Sequence, residues 1–470
     1  MVGNTEIDIA KPEYDSRLIQ AGDLFVALSG ANFDGHDFID RAISAGAVCI
    51  VCEKDFDRDD TVKIKVPDSR HALALLAAKF YDFPSRKLKV AGITGTNGKT
   101  TTTYMVKSIF EARNKRTGLI GTIEYLAGSH RFDAFNTTPE SLHIERLLAI
   151  MYNEHIHNVV MEVSSHGLAI GRVRMIDFNV GAITNITQDH LDYHASMEEY
   201  REAKAILFDK LKSKEKWAVL NMDDPSYEFL LGRVECSYLT YALENRRADL
   251  FLSEIDKVED GFAFRLHTPL GVEEIHLHLT GRFNLNNSLC AAAVAMASGL
   301  DSGSIKQGLE NMKFVPGRME TVDFGQNFRV YVDYAHTPDA LSKVMKSARE
   351  LANAHRLIAV FGCGGDRDKA KRPLMSAAVS EYADLTILTS DNPRTEDPLA
   401  IIEDARAGLV ENKEHEVIPD RRQAILEAVR KAVEGDVVVI AGKGHETVQI
   451  IGTEKTHFDD REVIREALKG

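Results

Sequence analysis

Short apolar runs, each ending in a polar or glycine-bearing loop, recur along this chain and alternate with stretches of helical character. In the middle of the chain these runs are "VAGIT", "HNVVMEVS", "VGAITNI" and "KWAVLNM". Near "FVPGRME" (314–320) the rhythm restarts with "FRVYVDYAH", "LIAVFGCGGDRD", "DLTILTSDNPR" and "DVVVIAGKGHE". Continuous apolar runs are typical of parallel strands buried on both faces, and their alternation with helices predicts doubly wound sheets. Ligands bind outside the carboxyl ends of such strands, so we expect these loops to share one crevice.

The first part of the chain predicts a smaller α/β region. "DLFVAL" and "AVCIVCE" are typical of strands, with a helix between them around Ile39–Ala45, and the polar stretch "YDFPSRKLK" then leads into "VAGIT". A length of 470 residues fits about three domains. We therefore predict the α/β fold class with three domains: a small N-terminal α/β domain (1–88), a central domain with a parallel sheet (89–315) and a Rossmann-like C-terminal domain (316–470).

Composition narrows the classes of function. The formal net charge is −14, which argues against a surface for nucleic acid or for an anionic membrane, although a local basic pocket is compatible with it. The first residues lack the apolar core of a signal peptide, and no uncharged apolar run approaches the ~20 residues of a membrane span. The five cysteines are scattered and odd in number, which fits a reducing cytoplasm. Cys49 and Cys52 form a CxxC inside an apolar strand, which favours core packing over metal or redox chemistry.

A phosphate-binding loop follows the first strand of the central domain. "VAGIT" is followed by "GTNGKTTTT" and then by "YMVKSIFEAR", which has helical character. Backbone N–H groups of a glycine turn at a helix N-terminus form a site for anions. A lysine there supplies charge for the outer phosphates, and the next hydroxyl can bind Mg²⁺. The strict Walker pattern has a glycine where this chain has Ile93. A glycine-rich turn without a ligand is the alternative, but the strand–loop–helix order favours a P-loop-type ATPase domain. The predicted nucleotide-binding residues are Gly95, Thr96, Asn97, Gly98, Lys99, Thr100 and Thr101.

The segment "TGTNGKTTT" resembles the variant of this loop found in the Mur ligases and the related folylpolyglutamate synthetases. That resemblance implies an ATP-dependent carboxylate–amine ligase, in which ATP phosphorylates a carboxylate and an amine attacks the acyl phosphate to form an amide. The lysine of the loop and Mg²⁺ would offset the repulsion between carboxylate and triphosphate. The chain shows neither the HRD-type segment of a kinase nor the NKxD motif of a GTPase.

Three further residues resemble the catalytic centre of the Mur ligases in order and spacing. "MEVSSHGL" places Glu162 at a strand end, "ITNITQDHLDYH" contains His190, and "EEYREAKAILF" places Lys204 on a helix. Taken singly, they could be a surface acid, a helix-capping partner and a solvated lysine. Together with Lys99 they form the catalytic set that the resemblance implies. In it Thr100, Glu162 and His190 bind Mg²⁺, and Lys204 carries CO₂ as a carbamate that also ligates metal.

Other segments match the family around the nucleotide. "GRFNLNNSLCAAA" supplies Asn284 and Asn286, where the family has an asparagine near the nucleotide. "PGRME" supplies Arg318, and "DYAHTPDAL" supplies Asp333 and His336, which the resemblance places around the adenosine and the phosphates from the C-terminal domain.

The segment "TSDNPRTEDP" bears on the choice of amino acid, since "DNPR" resembles the family members that add meso-diaminopimelate. Diaminopimelate has a second carboxylate at its far end, and a guanidinium binds a carboxylate through two parallel hydrogen bonds, which a lysine cannot do. Arg394 is the candidate, and a surface arginine after a proline turn is the alternative. By resemblance the pocket also contains Arg367, Asp391, Asn392, Pro393, Gly442 and Glu446.

The second substrate implied by the resemblance is UDP-N-acetylmuramoyl-L-alanyl-D-glutamate. Segments from the N-terminal and central domains match its site. The corresponding residues are Ser16, Ala31, Asn32, Phe33, Asn136, Thr137, Thr138, Ser164 and Arg172. Family members often have a glutamine that touches the peptidyl substrate where this chain has Ile170, which is therefore not counted as a site residue.

The sequence thus predicts an ATP- and Mg²⁺-dependent ligase of peptidoglycan precursor synthesis. It would act as a cytoplasmic monomer, with no nucleic-acid partner and no membrane insertion. A lysine-adding relative, another Mur ligase or a folylpolyglutamate synthetase remains an alternative within the superfamily, although the N-terminal domain and "DNPR" argue against the last. A nucleotide-binding regulator without catalysis is the alternative from another class. The intact lysines, glutamate and histidine of the catalytic set argue against it.

Overall fold

The N-terminal part of the chain is built on a small parallel sheet. The structure is a computed structural model that describes residues 6–30, 33–58, 60–189 and 193–469. The first strands and helices are β1 (Pro12–Glu13), β2 (Leu24–Val26), β3 (Cys49–Cys52), β4 (Val62–Lys65), α1 (Ile39–Ser44) and α2 (Ser69–Phe80). All neighbouring strands pair in parallel, in the order β1-β2-β3-β4. Cys49 and Cys52 are buried in β3 as free thiols, which confirms their predicted place in the core.

The central part of the chain contains the largest sheet. Its strands are β5 (Lys89–Thr94), β6 (Thr117–Ile120), β7 (Glu124–Ala127), β8 (His130–Asp133), β9 (Asn158–Glu162), β10 (Val180–Ile183), β11 (Trp217–Asn221), β12 (Ser237–Ala242), β13 (Leu250–Val258), β14 (Gly261–Thr268) and β15 (Gly271–Leu277). Their order in the sheet is β15-β14-β13-β12-β11-β10-β5-β9-β6-β7-β8. The strands from β6 to β13 in this order pair in parallel, as predicted.

Two antiparallel arms, which the apolar runs did not indicate, extend the sheet at its edges. β7 and β8 form one arm, and β14 and β15 form the other. β8 is mostly exposed, and β15 is mostly exposed in its first half, with only Ile275 and Leu277 buried. Antiparallel strands with one solvated face lack the continuous apolar run of a buried parallel strand.

Helices cover both faces of the central sheet. They are α3 (Lys99–Ala112), α4 (Ser141–Asn153), α5 (Ser165–Ala169), α6 (Met197–Asp209), α7 (Tyr227–Leu231), α8 (Phe283–Ala297) and α9 (Ser302–Asn311). One apolar cluster joins the sheet to α3, α8 and α9, and another joins its opposite face to α4 and α6. Val90 and Ala91 are neighbours on β5 but belong to different clusters, because successive side chains of a strand point to opposite faces.

The C-terminal part of the chain forms a separate doubly wound sheet. Its strands are β16 (Glu320–Thr321), β17 (Arg329–Asp333), β18 (Leu357–Cys363), β19 (Leu385–Ser390), β20 (Glu414–Val417) and β21 (Val437–Ala441), followed by the hairpin β22 (Val448–Ile451) and β23 (Glu454–His457). Its helices are α10 (Pro338–Ala352), α11 (Lys371–Ser380), α12 (Pro398–Arg406), α13 (Arg421–Lys431) and α14 (Asp460–Lys469). The strand order is β16-β17-β21-β18-β19-β20, and every pair except β16–β17 is parallel. This is the predicted Rossmann-like arrangement.

Across the described ranges, no helix has both the length and the apolar character that crossing a membrane requires.

The carboxyl ends of the central and C-terminal sheets face a common crevice. Three contacts that C-terminal side chains make with the central part lie at this crevice. Arg318 Nη2 donates to Thr100 Oγ1 at 3.1 Å, and Lys371 Nζ lies 3.0 Å from Asp189 Oδ1. In the third contact, Asp339 Oδ2 at the start of α10 accepts from Nδ2 of Asn97, in the loop between β5 and α3, at 2.6 Å. The loops that follow the strands therefore meet between the two sheets, as expected.

Candidate active site

The loop between β5 and α3 has the backbone of an anion-binding turn. Gly95 and Gly98 have φ values of 141° and 87°, in the region that favours glycine. A Cβ at Gly98 would lie 2.3 Å from Asn287 Oδ1, and one at Gly95 would lie 1.9 Å from Thr184 Oγ1, so no larger residue fits. β5 continues through Ile93, which is buried in the core, and the turn starts only at Gly95. This explains why the glycine of the strict Walker pattern is absent.

Two lysine ammonium groups meet at this loop. Lys99 Nζ donates to the carbonyl oxygens of Gly95 and Thr96, both at 2.9 Å. Lys204 Nζ, from α6, donates to the same Gly95 oxygen at 3.0 Å. Burial, reinforced by the nearby Lys99, lowers the pKa of Lys204 well below its usual value, and burial also lowers the pKa of Lys99. These effects shift the amine of Lys204 toward its neutral form, which is the nucleophilic form.

Glu162, at the end of β9, holds a cluster of oxygen atoms beside the loop. Its carboxylate is fully buried and accepts from Thr100 Oγ1 at 3.0 Å, from Thr122 N–H at 2.8 Å and from Thr122 Oγ1 at 3.0 Å. Hydroxyl and carboxylate oxygens at this spacing are the hard ligands that Mg²⁺ prefers. Thr100 and Glu162 therefore fit a Mg²⁺ ion. His190, which was predicted to be a metal ligand with them, lies outside the described residues.

A cavity of about 590 Å³ separates the phosphate loop from the C-terminal sheet. Thr96, Asn97, Gly98, Lys99, Thr100, Thr101, Glu162, Asn286, Asn287, Arg318, Asp333 and His336 are among the residues that line it. Asn284 is buried behind the cavity, where its Oδ1 accepts from Asn287 Nδ2 at 2.9 Å. It therefore orients Asn287, which the sequence analysis had not selected.

Asp333 and Arg318 form the C-terminal wall of this cavity. The buried carboxylate of Asp333 accepts from the N–H groups of Met319 and Ala335, both at 2.7 Å, and burial raises its pKa. It thereby links the "PGRME" turn to the end of β17. The guanidinium of Arg318 lies over the ring of Tyr334 at 4.6 Å while also reaching Thr100. His336 is exposed, and its ring lies 4.6 Å from that of Tyr334.

A second cavity, of about 370 Å³, adjoins the first and is lined mainly by the C-terminal part. The two share Asp189, Tyr334, His336 and Thr337 in their walls. The second cavity is also lined by the predicted pocket residues Arg367, Asp391, Asn392, Arg394, Gly442 and Glu446. It therefore offers groups of both charges in one space, next to the cavity at the loop between β5 and α3.

Arg394 has an unusual backbone conformation in the loop that follows β19. Its φ is 52°, and its backbone is hydrogen-bonded to the hairpin of β22 and β23 on both sides. Its Nη1 donates to the Gly365 carbonyl at 2.6 Å, and partial burial, followed by the charge of Arg367, lowers its pKa. Pro393 is buried just before it and contributes its carbonyl to the close packing against Gly365. The turn thus presents Arg394 to the cavity.

Lys443 is a buried cation that organises the acidic side of this cavity, and it was not among the residues predicted from the sequence. Its Nζ donates to Asn392 Oδ1 at 2.8 Å and to the Val448 carbonyl at 2.7 Å. It lies 3.7 Å from a carboxylate oxygen of Asp391 and 3.6 Å from one of Glu446. Burial, together with the charge of Asp391, raises the pKa of Glu446. Its place in "AGKGHE" gave no signal of this role, because lysines are ordinarily exposed.

Three models of one protein family match successive parts of this chain. The Mur ligase family, catalytic domain, matches residues 9–81. The Mur ligase middle domain matches residues 93–295, and the Mur ligase glutamate ligase domain matches residues 317–444. The chain belongs to the Mur ligase family.

Several relatives of this Mur ligase are similar over nearly their whole length. The UDP-N-acetylmuramoyl-L-alanyl-D-glutamate–2,6-diaminopimelate ligase of Geobacillus kaustophilus (strain HTA426) is 48% identical over 468 residues, which cover 98% of this chain and 95% of the relative. The ligase of the same name from Syntrophomonas wolfei is 45% identical and covers 100% and 96%. A solved structure of a ligase of that name is 32% identical, with a TM-score of 0.67 and coverage of 98% and 95%. A MurF ligase from Thermotoga maritima in complex with ADP has the same fold, with a TM-score of 0.68 at 20% identity and coverage of 98% and 97%.

In this Mur ligase the residues predicted for the UDP substrate fall into two groups. Thr137, Thr138, Ser164 and Arg172 lie together around the end of β9, where Thr138 Oγ1 accepts from Ser164 N–H and donates to the Glu162 carbonyl, both at 2.9 Å. Arg172 donates to Glu140 Oε1 at 3.0 Å and to the Thr138 carbonyl at 2.9 Å. The exposed Asn136 precedes this group.

The other group belongs to the N-terminal sheet. Ser16 is buried beside it, and Phe33 is an exposed aromatic residue, with 76% of its surface accessible. Ala31 and Asn32 lie outside the described residues. Arg70 of α2 donates to Glu140 Oε1 at 2.8 Å, the same oxygen that Arg172 contacts. The N-terminal part therefore meets the central part beside the first group.

Proposed function

We propose that this Mur ligase joins meso-diaminopimelate to the D-glutamate carboxylate of UDP-N-acetylmuramoyl-L-alanyl-D-glutamate, with ATP as the source of activation. The observation that carries the proposal is the junction of two cavities, one with a phosphate loop and the other with groups of both charges. Relatives that are 45–48% identical over the whole chain have names that describe this reaction. The product is a precursor of peptidoglycan.

The reaction needs a carboxylate and a triphosphate to approach each other. A carboxylate oxygen of D-glutamate bonds to the γ-phosphorus while the bond to the bridging oxygen breaks and ADP leaves. The amine of the incoming amino acid then bonds to the acyl carbon, loses a proton and displaces inorganic phosphate. Lys99 and Arg318 project positive charge into the space where the phosphates would lie, and positive groups fixed there stabilise the developing charge.

The oxygen cluster of Thr100 and Glu162 is the proposed site of Mg²⁺, with His190 and Lys204 completing the set. Bound Mg²⁺ supplies charge neutralisation and orients the phosphate oxygens. Lys204 is proposed to react with CO₂, so that its Nζ bonds to the carbon and loses a proton. The resulting carbamate is an oxygen ligand, which suits Mg²⁺ better than an amine does. The proposal is supported by the position of Lys204 Nζ, 3.0 Å from the Gly95 carbonyl of the loop.

The second cavity is the proposed site of diaminopimelate. Arg394 can bind the distal carboxylate through paired hydrogen bonds, and Asp391 and Glu446 can accept from the distal ammonium. Arg367 adds a second cation at the exposed side. Because the cavity walls are shared with the nucleotide cavity, an amine bound here can reach an acyl phosphate formed at the loop.

The UDP substrate is proposed to bind across the N-terminal and central domains, at Ser16, Phe33 and the Thr137–Ser164 region. The domain bounds proposed for this division of labour are 1–88, 89–315 and 316–470. A cytoplasmic monomer that binds neither nucleic acid nor membrane is the form proposed to act.

A phosphate-release assay tests the proposal. The purified chain is given ATP and Mg²⁺ with the UDP substrate and with diaminopimelate, lysine or glutamate in parallel reactions, and the products are weighed by mass spectrometry. Sustained release is expected only with the UDP substrate and diaminopimelate together, with a product heavier by one diaminopimelate less one water. Equal turnover with lysine would overturn the amino-acid assignment, and release that does not depend on the UDP substrate would overturn the acceptor.

A further inference from the structure

We infer that the antiparallel arm formed by β14 and β15, at one edge of the central sheet, contains a binding site for one divalent transition-metal ion such as Zn²⁺. The ligands are Asp260, His276 and His278. They belong to the turn between β13 and β14 and to the end of β15, and none of them lines either cavity of the proposed active site. The inference does not depend on the proposed function.

The strand geometry brings the three side chains together. His276 and His278 are two residues apart at the end of β15, so they point to the same side of the extended chain. Their ring centres are 4.2 Å apart. Asp260 lies between them, with Oδ1 2.8 Å from His276 Nε2 and Oδ2 2.5 Å from His278 Nδ1. The ligand atoms of all three residues lie within 4.8 Å of one another.

The backbone positions of these ligands are fixed by the sheet. β14 pairs with β15 without a break, and His276 lies opposite Ala263. The N–H of His276 also donates to Glu310 Oε1 on α9 at 3.3 Å. Asp260 directly precedes Gly261, the first residue of β14 and the partner of Val258 across the turn. The ligands therefore need only side-chain rotation to receive an ion, and their partial exposure permits that rotation.

The chemistry of the donor set selects the ion. Two imidazole nitrogens and one carboxylate oxygen form a common three-ligand set for Zn²⁺, with metal–ligand distances of about 2.0–2.2 Å and a fourth position open to water. In the present arrangement two imidazoles share a single carboxylate, each through one ring nitrogen. A divalent cation at their centre would take the place of both hydrogen bonds. Mg²⁺, which prefers oxygen ligands in an octahedron, does not match this set.

The test uses Co²⁺ as a spectroscopic probe for the full-length protein. A chelator first removes bound metal from the protein, and excess Mg²⁺ is then added so that it occupies the oxygen-rich sites. Co²⁺ titration is expected to give visible absorption bands of a four- or five-coordinate ion, saturating at one ion per chain, and Zn²⁺ should displace the bands. Histidine to glutamine substitutions, His276→Gln and His278→Gln, should each weaken Co²⁺ binding at least tenfold.

The matched control is His267→Gln, on the adjacent strand. His267 stacks on Phe251 and bonds to Ser253, outside the proposed ligand set, so this variant should bind Co²⁺ as the parent does. Circular dichroism would verify that all three variants keep the parent fold. Parent-like Co²⁺ binding by His278→Gln, or no visible bands with the parent protein, would overturn the site and leave the cluster as a pair of histidine–aspartate hydrogen bonds.

Discussion

Replacing Asp339 by alanine should weaken the use of ATP, because this carboxylate connects the C-terminal domain to the phosphate loop. Asp339 Oδ2 accepts from Asn97 Nδ2 at 2.6 Å and from Thr187 Oγ1 at 2.9 Å, and both donors belong to the central domain. It also accepts from Lys343 Nζ, one turn along α10, at 2.8 Å. The substitution Asp339→Ala removes these two hydrogen bonds to the central domain and leaves the Arg318–Thr100 and Lys371–Asp189 contacts in place.

The size of the expected effect follows from the two hydrogen bonds that Asp339 accepts from the central domain. A hydrogen bond to a charged group contributes about 1.5–3 kcal/mol. Because the side chain of Asp339 is 30% exposed, solvent screening reduces this to about 1–1.5 kcal/mol for each bond. Two such bonds amount to about 2–3 kcal/mol, and each 1.4 kcal/mol is about tenfold in an equilibrium. The fraction of molecules with the C-terminal domain docked on the loop should fall, and kcat/KM for ATP should fall with it by roughly 25- to 150-fold.

Steady-state phosphate release with ATP varied at saturating amounts of the other substrates measures this effect. Glu350→Ala is the matched control, since it removes one negative charge from the other end of the same helix and leaves the phosphate loop untouched. A double-mutant cycle of Asn97→Ala with Asp339→Ala should give a coupling energy of about 1–2 kcal/mol. A kcat/KM for the folded Asp339→Ala variant within twofold of the parent, or additive effects in the cycle, would refute the reasoning.

Three further predictions concern single side chains. Lys204→Ala should nearly abolish ligation, with partial rescue by added short carboxylates that replace the carbamate. Full activity of the variant without added carboxylate would exclude Lys204 from the proposed Mg²⁺ ligands. The parent should prefer diaminopimelate to lysine by about thirty- to several-thousand-fold in competition kinetics, since leaving the guanidinium of Arg394 without a carboxylate partner costs about 2–5 kcal/mol. Arg394→Ala should lose most diaminopimelate activity with little change in KM for ATP, and a parent-like variant would exclude this contact. Burial raises the pKa of Glu145 from 4.5 to about 8. The folded state therefore holds this proton more tightly than the unfolded chain does, and the free energy of unfolding should fall as pH rises from about 5 through 8. Glu145→Gln should flatten that part of a pH series of urea unfolding curves, and an unchanged slope would contradict the shift.

Local patterns in the sequence determined much of the architecture. The apolar runs located β5, β9, β10 and β11 and the C-terminal strands β17, β18, β19 and β21, because a strand buried on both faces is apolar along its length. They did not locate the parallel strand β20, which is mostly exposed. The loop from Gly95 to Thr100 was predicted from a strand, a glycine turn and a helix that are contiguous in the chain. The burial of Cys49 and Cys52 followed in the same way from the apolar residues beside them. The roles of the predicted site residues stay predictions.

The tertiary structure decided which of these segments meet. The contact between Asn97 and Asp339 joins residues 242 positions apart, and the one between Lys204 Nζ and the Gly95 carbonyl joins residues 109 apart. The segment "FNLNN" could not show which asparagine lines the cavity. Only the direction of α8 puts Asn284 behind the cavity and Asn287 on its wall. The buried lysine of "AGKGHE" gave no local sign of its role, because its stabilising partners come from the separate segment "DNPR" and from β22. A short-range pattern determines which backbone conformation buries apolar surface, whereas the pairing of distant polar groups depends on the order of strands in the sheets and on how the domains dock.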